Sequence, residues 1–509
     1  MNQLLYGDNL EILRYDVYNN GKFLIENESV DVVYIDPPFN SNRDYNIIYG
    51  NDATAQIKAF EDTWSLIGVE EIEQMIEKEY LRYANIQKPY DVLRTLLRDG
   101  DRYDRAMYGY LMNMAVRISE IYRKLKPTGT FYLHCDQTAN TYLRIILDCV
   151  FGRENMLNEI VWHYRTGGVS KRYFASKHDT VFFYAKNRKK HFFKAIEEKV
   201  YYDKKPGFKD RKGGEDKDGH YKMTFMDDVL NVPAVFNMSK ERLGYPTQKP
   251  LALLEILLQA ATPQIGDVFE DGTKMTKKPV VMDVFCGCGT TIMAAQKLGF
   301  NWIGVDITYL SIDLIMKQRL LPQYYGLNGD ASNYKEAFMR LKEEVNLYGI
   351  PKDLDAAKAL VTVGKVRKEF EKWAVLSVGG LPQEKKGADG GVDGAFFVVK
   401  NAQNLRHKGY ISVKSGAVSV KDIRDFSATI DFFESEIGVF VTLEEPTKPM
   451  LEFVAGLPKF KSELHGDLPK ITIIKIQDII DDPFGMPSFI KHNLKQMQKD
   501  ETDFNQNLL

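Results

Sequence analysis

The chain has 509 residues, enough for two to four domains with well-filled cores. A formal net charge of −2 excludes a globally basic nucleic-acid binder, so any such site must be a local patch. The four cysteines (Cys135, Cys149, Cys286, Cys288) show neither two-pair zinc spacing nor the density of a secreted scaffold, and neither a basic-then-apolar leader nor a spanning apolar run is found. The expectation is a soluble, cytoplasmic protein of a reducing compartment with no membrane partner.

Leu4-Leu5-Tyr6-Gly7-Asp8-Asn9 predicts a short strand, a Gly-Asp turn and the start of an amphipathic helix. The apolar run from Val30 to Ile35 predicts a buried parallel strand, stopped by Asp36-Pro37-Pro38-Phe39. Open α/β sheets bind their ligands at the carboxyl edge of the strands. An acid, a rigid turn and an aromatic ring at that edge suit a flat exocyclic amino group. The Asp36 carboxylate and a proline carbonyl would accept its two N–H hydrogens while Phe39 stacks on the ring. A plain strand and turn is the alternative reading. From about Asn51 to Arg105 the chain is polar and irregular, with a helix near Glu70–Arg82, and reads as an inserted loop or lid. Tyr108 to Leu125 has helical spacing and stops at Lys126-Pro127-Thr128-Gly129; Thr130–His134 is the next strand and Thr138–Val150 the next helix. This alternation predicts a parallel sheet covered on both faces.

Between His163 and Lys222 the chain carries seventeen Lys/Arg against eight Asp/Glu, interleaved with Tyr173, Phe174, Phe182, Phe183, Tyr184, Phe192, Phe193, Tyr201 and Tyr202. Cations neutralise phosphates and aromatics stack or wedge between bases, the alternative being a solvated basic face over a small aromatic core. Lys204–Gly219 reads as a mobile loop. Tyr245-Pro246-Thr247-Gln248-Lys249-Pro250 introduces a helix over Leu251–Ala261. The strand Val280–Phe285 then runs into Cys286-Gly287-Cys288-Gly289-Thr290-Thr291, a helix, and the strand Trp302–Val305 ending in Asp306. Glycines let a backbone approach a ligand closely, the helix N-terminus faces it, and an acid 23 residues after Asp283 falls where ribose hydroxyls are met. A third fingerprint glycine is missing, which favours a ribose ligand without a diphosphate, such as S-adenosylmethionine.

Taken together these stretches resemble the amino-methylating DNA methyltransferases in which the catalytic tetrapeptide precedes a target-recognition region and then the cofactor loop. The resemblance covers roughly residues 1–330. It implies that Asp36, Pro37, Pro38 and Phe39 hold the target amine, and that Asp283, Phe285, Gly287, Gly289 and Thr290 frame the methionine part of S-adenosylmethionine. It further implies Asp306 at the ribose, Asp8 near the adenine, and Thr247, Gln248 and Lys249 closing over the cofactor. Trp162 or Tyr164 would pack on the extruded base. An acid before Pro-Pro is usual for adenine N6 members and serine for cytosine N4 members. The partner implied is duplex DNA, with a homodimer and a separate restriction subunit as further expectations.

In the second half, Phe370-Glu371-Lys372-Trp373 lies on a helix, followed by Gly390-Gly391-Val392-Asp393-Gly394 and the strand Tyr410–Lys414, then a helix near Lys421–Thr429 and the strand Gly438–Thr442. An acid after a glycine turn and a lysine about twenty residues on can coordinate Mg²⁺ and orient water for phosphodiester hydrolysis. The stretch resembles the Mrr-type restriction endonucleases. This implies Asp393 as a Mg²⁺ ligand, Lys414 as the charge that activates water, and Glu371 as the helix acid. Ser412 departs from the pattern, standing where an acid or glutamine is usual.

The expected fold is therefore α/β. A doubly wound, Rossmann-like methyltransferase sheet spans 1–335 with an inserted target-recognition region at 163–240. A helical connector at 336–359, an α/β restriction-endonuclease-like domain at 360–480 and a tail at 481–509 follow. The expected function is site-specific adenine-N6 methylation of duplex DNA by base flipping. The alternatives are cytosine-N4 transfer, and a defence nuclease or DNA-binding protein whose methyltransferase half serves recognition.

Overall fold

The computed structural model describes residues 2–38, 44–48, 56–61, 69–164, 169–202, 213–236, 239–243, 245, 247–269, 272–324, 334–351, 354–362, 367–383, 391–399, 406–463 and 465–482. These fall into two compact units. The first holds the described residues up to 45, those from 60 to 320, and 344–346; the second holds the others.

The first unit runs β1 (Asn2–Tyr6), α1 (Asn9–Leu13), β2 (Val30–Ile35), α2 (Val69–Lys78), α3 (Gln87–Leu97), α4 (Arg102–Lys124), β3 (Leu125–Cys135), α5 (Asn140–Leu147), β4 (Met156–His163) and β5 (His178–Ala185). It continues with β6 (Glu197–Tyr202), β7 (Gly213–Asp216), β8 (Gly219–Phe225), β9 (Val229–Asn231), α6 (Leu251–Ala261), β10 (Val280–Asp283), α7 (Thr290–Lys297), β11 (Asn301–Asp306) and α8 (Tyr309–Leu314). Helix α4 begins six residues before its apolar spacing does, because Asp101 caps it. The Asp101 carboxylate accepts the Tyr103 and Asp104 N–H groups at 2.7 and 3.0 Å, and Asp104 answers on the Asp101 N–H. The segment expected to be an irregular lid holds two helices, α2 and α3, whose apolar residues pack inward. The helix expected to stop at Lys126-Pro127-Thr128-Gly129 ends at Lys124, and that segment already belongs to β3; the β2–β3 register shifts between Val30 and Val32.

Eight neighbouring strands of the large sheet run in the order β9-β4-β5-β3-β2-β10-β11-β1. β1, β11, β10, β2 and β3 run parallel to one another. The departure from the expected parallel sheet is β5, antiparallel to both β3 and β4. It buries Phe182, Phe183 and Tyr184, with Phe183 stacked on Tyr132 at 4.3 Å, so these three aromatics are core rather than part of a nucleic-acid face. Strands β6, β8 and β7 form a separate small antiparallel sheet. Most of the loop expected at Lys204–Gly219 lies outside the described residues.

All six residues of β2 are buried, as a strand covered on both faces requires. From β2 the chain proceeds to β3 on one side, and from β10 to β11 on the other. β2 and β10 are adjacent, pairing Val32 with Val281 and Val33 with Met282. The crevice between their carboxyl ends is thus a topological switch point, where open α/β sheets bind ligands. Asp31 clamps these two strands at the other end. Its carboxylate accepts the Val280 N–H at 2.8 Å and pairs with Lys126 at 2.7 Å.

The second unit includes α9 (Leu354–Thr362), α10 (Arg367–Ser377), β12 (Leu381–Pro382), β13 (Gly394–Val399), β14 (Arg406–Lys414), α11 (Val420–Phe432), β15 (Gly438–Thr442) and β16 (Ile471–Lys475). Its sheet order is β12-β13-β14-β15-β16, antiparallel through β14 and parallel thereafter. Ile423, Phe426 and Ile430 of α11 pack with Phe440, Met450 and Ile471 as a core. The expected helical connector is interrupted by a strand, Val345–Tyr348. Among the described residues no helix is long and apolar enough to cross a membrane.

Asp31→Ala leaves a buried N–H unpaired and frees Lys126, which is partly solvated. The first unit should lose about 2 kcal/mol of stability, seen as a lower thermal midpoint, while Asp31→Asn should lose about half as much.

Candidate active site

The switch-point crevice opens into a cavity of about 340 Å³ lined by Asp8, Asn9, Tyr34, Asp36, Pro37, Pro38, Arg117, Tyr245, Gln248, Lys249, Asp283, Phe285, Gly287, Thr290 and Asp306, among others. That is the size of a small-molecule site. The two turns singled out in the sequence therefore open on one space. Phe39 lies outside the described residues.

The cofactor-type turn folds around its acids. Asp283, at the end of β10, accepts the Phe285 N–H at 2.9 Å. Burial pushes its carboxyl up to about 7, against the opposing pull of hydrogen bonds from Thr291 and Phe285. Asp306, at the end of β11, accepts the Gly287 N–H on one oxygen at 2.8 Å and the Thr308 N–H and hydroxyl on the other at 2.9 and 2.8 Å. Burial raises its pKa too. Gly287 and Gly289 both have positive φ, 49° and 75°. A Cβ on Gly289 would lie 2.5 Å from Ile315, so the turn needs glycine there for packing as well as for conformation. Cys286 and Cys288 are buried thiols whose pKa values burial raises. Among the described residues no three His, Cys, Asp or Glu side chains group as a metal site.

Asp8 caps α1 through the Leu10 and Glu11 N–H groups at 2.8 and 3.2 Å. Its other oxygen takes Arg117 Nη2 at 3.1 Å. Arg117 Nε also donates to Asn9 Oδ1 at 2.6 Å, and Asn9 Nδ2 donates to the Val284 carbonyl at 2.8 Å. Arg117 and Asn9 thereby join α4, α1 and the cofactor turn at the cavity wall. Sequence reasoning missed both, although an arginine amid Met114, Ala115, Val116 and Ile118 was a signal of a buried partner. Tyr245 was missed as well. It is buried at the wall, its hydroxyl accepting from Ser311 at 3.3 Å and its ring facing Gly287.

Lys249 was expected over the cofactor, but its Nζ forms an ion pair with Asp36 Oδ2. Lys249 is only 8 % exposed. Asp36 Oδ1 is buried and makes no hydrogen bond. Gln248 is likewise occupied elsewhere: its amide bridges the Leu243 N–H and the Glu241 carbonyl at 2.8 and 2.7 Å, shaping the segment before it.

Beside Asp36 runs a second network. The Tyr34 hydroxyl meets His134 Nδ1 at 2.9 Å, His134 Nε2 donates to Asp179 Oδ2 at 3.1 Å, and the Tyr164 hydroxyl donates to Asp179 Oδ1 at 3.0 Å. Burial opposes the charge on Asp179, but His134, Lys249 and Tyr164 outweigh it and hold the carboxyl below its usual range. Trp162 is buried edge-on against His134, with its indole N–H bound to the Val232 carbonyl at 2.8 Å. Tyr164 is the less enclosed of the two aromatic candidates.

In the second unit Asp393 precedes β13, and its Oδ2 accepts the Val413 N–H at 2.6 Å. This places Asp393 beside the Ser412-Val413-Lys414 end of β14. Ser412 is buried with an unpartnered hydroxyl, and Glu371 lies on α10.

Over residues 30–317 the sequence matches the DNA methylase family, and over 370–480 a restriction endonuclease family. Its relatives include the type II methyltransferase M.HpaI of Haemophilus parainfluenzae, 27% identical over 211 residues, a match that spans 42% of this chain and 59% of that protein. The DNA adenine methyltransferase YhdJ of Escherichia coli (strain K12) is 25% identical over 244 residues, 47% of this chain and 76% of YhdJ. The type II methyltransferase M1.MboII of Moraxella bovis is 28% identical over 244 residues, 46% of this chain and 86% of the relative. With the switch-point cavity and the order of its turns already in place, the chain belongs to the DNA methylase family of N6/N4 methyltransferases and carries a C-terminal restriction-endonuclease-like domain.

Proposed function

We propose that the first unit transfers a methyl group from S-adenosylmethionine to adenine N6 in a nucleotide flipped out of duplex DNA. The observation that carries this reading is Asp36, which lines the same cavity as the glycine turn and whose Oδ1 is a buried carboxylate oxygen with no hydrogen-bond partner. An unpaired buried acceptor is costly, so its persistence points to a donor that arrives with the ligand. When bound, S-adenosylmethionine supplies an electrophilic methyl on a sulfonium; the Asp283–Thr290 turn, Asp306 and Asp8 are the residues that would hold it. Asp36 Oδ1 and the Pro37 carbonyl accept the two amine hydrogens and draw the nitrogen toward tetrahedral geometry, freeing its lone pair. Lys249 fixes the Asp36 carboxylate and leaves one oxygen for the base. Once the nitrogen has gained the methyl it carries one proton too many, and Asp36 Oδ1 is the acceptor already hydrogen-bonded to it. Phe39 and Tyr164 are the rings we assign to the two faces of the base; Trp162, enclosed against His134, supports Tyr164 from behind. The acid before Pro-Pro favours adenine N6. Cytosine N4 offers the same amino geometry, and nucleoside masses from treated DNA separate the two products.

The second unit we read as a DNA-binding domain. The resemblance brings Mg²⁺ with Asp393 as ligand, but among the described residues Asp393 belongs to no group of three or more His, Cys, Asp or Glu side chains, and the position two before Lys414 holds a buried serine.

Three outcomes are expected. Asp36→Ala should lower labelled methyl incorporation into unmodified DNA by at least about 10³-fold while the S-adenosylmethionine dissociation constant stays within about threefold; near-normal transfer would remove Asp36 from the reaction. The Asp283 carboxyl, raised to about 7 in the free protein, holds a proton below that pH. A cationic ligand beside it favours the carboxylate. Cofactor affinity measured by calorimetry should therefore rise several-fold from pH 6 to pH 8 with proton release below 7, and Asp283→Asn should flatten the profile. In Mg²⁺ or Mn²⁺ the wild type should nick supercoiled plasmid no faster than Asp393→Ala; an Asp393-dependent rate would establish a nuclease.

A further inference from the structure

Strands β4 and β5 form a hairpin paired as far as His163 and His178, and the pairing extends one step further through the Tyr164 N–H to the Lys177 carbonyl at 2.9 Å. Cys135, the last residue of β3, pairs with Thr180 of β5, and Leu133 of β3 pairs with Ile35 of β2. The loop of this hairpin therefore leaves the sheet at the same edge as Asp36. Its base is tied to the site through Tyr164, Asp179, His134 and Tyr34, and Gln137 Nε2 donates to Ser176 Oγ at 3.3 Å.

The outer part of the loop inverts the usual surface rule. Val169 is 93%, Tyr173 73% and Phe174 100% exposed, so one short stretch of chain holds three large apolar side chains in solvent. Apolar groups clustered this way mark a surface that a partner covers. The Ser170 hydroxyl accepts the Arg172 and Tyr173 N–H groups at 3.3 Å each, so the turn that presents Phe174 is formed without any partner. From 169 to 178 the chain carries Lys171, Arg172 and Lys177 and no acid. A protein partner would suit the rings alone. Rings flanked by cations, at the edge where the target nucleotide must leave its stack, fit a duplex.

We propose that Phe174 is the wedge that enters the duplex stack at the place the flipped nucleotide vacates, with Lys171 and Arg172 on the neighbouring phosphates. This rests on the base-flipping reading above and goes beyond it by naming the residue that opens the helix. A ring inserted between bases replaces the stacking lost when the nucleotide swings out. Phe174 touches neither cofactor nor target amine. It acts on the extrusion equilibrium alone, so its removal matters only where the target base is paired.

The test uses the full chain. The modified position is first mapped on plasmid DNA methylated by the wild type. Two duplexes are then made, one fully paired and one with an abasic position opposite the target. Phe174→Ala should lower kcat/KM for methyl incorporation at least tenfold on the paired duplex and less than threefold on the abasic one; Phe174→Trp should stay near wild type on both. Cofactor affinity should not move. Equal loss on the two duplexes, or no loss on either, overturns the wedge. So does sedimentation showing that Phe174→Ala dissociates a dimer with methylation unchanged, since a second copy would then cover the rings. A wild type that binds S-adenosylmethionine but methylates no DNA would instead sink the methyl-transfer reading, and the wedge with it.

Discussion

The site depends on how one buried carboxylate is left half satisfied. Asp36 gives Oδ2 to Lys249 and keeps Oδ1 bare. Two opposite charges taken out of water gain little net stability from each other, because desolvation offsets most of their attraction. What the pair does gain is geometry. The lysine fixes the carboxylate plane, so the open lone pairs point where the turn directs them rather than wherever solvent would draw them. An acceptor oriented in advance would act on the amine proposed above without having to reorganise.

That arrangement is possible only because β2 and β10 are neighbours. Chain order alone places Asp36 and Asp283 247 positions apart. The reversal of winding between them brings their carboxyl ends to one crevice, with the Asp31 clamp holding the same two strands from below. The intervening chain leaves on the outer side of β2 through β3 and returns to the crevice at Tyr245, Gln248 and Lys249.

Much of this was legible in the sequence, and the reason differs from residue to residue. Val30–Ile35 ending in Asp-Pro-Pro, and Val280–Asp283 ending in a glycine turn, carry their structure locally in apolar runs and backbone breakers, and both strands lie where expected. The pairing of Lys249 with Asp36 left no trace in the sequence because the two are 213 positions apart, and no local pattern distinguishes a lysine over a cofactor from one on a carboxylate. Phe182, Phe183 and Tyr184 were counted with a basic face although the unbroken apolar run from Val181 to Ala185 is the pattern of a buried strand. Cations on either side of the run mask that pattern. Arg117, Asn9 and Tyr245 act through contacts between distant elements and left little trace beyond a charge set in an apolar helix.

The acids of the cofactor turn are better understood as builders of the site than as groups waiting for a ligand. Asp306 already binds Gly287 and Thr308, Asp8 already caps α1 and holds Arg117, and Asp283 already closes the turn at Phe285. The glycine loop therefore has its shape before anything binds, and a ribose hydroxyl reaching Asp306 joins an acceptor that is in use. Prior order of this kind lowers the entropy lost on binding. It also means that deleting Asp306 would remove a loop support together with the ribose contact proposed for it, so weakened cofactor binding in such a variant would measure both. Asp36 differs from all of them: its Oδ1 supports nothing in the fold, and only its Oδ2, paired with Lys249, has a structural part as well.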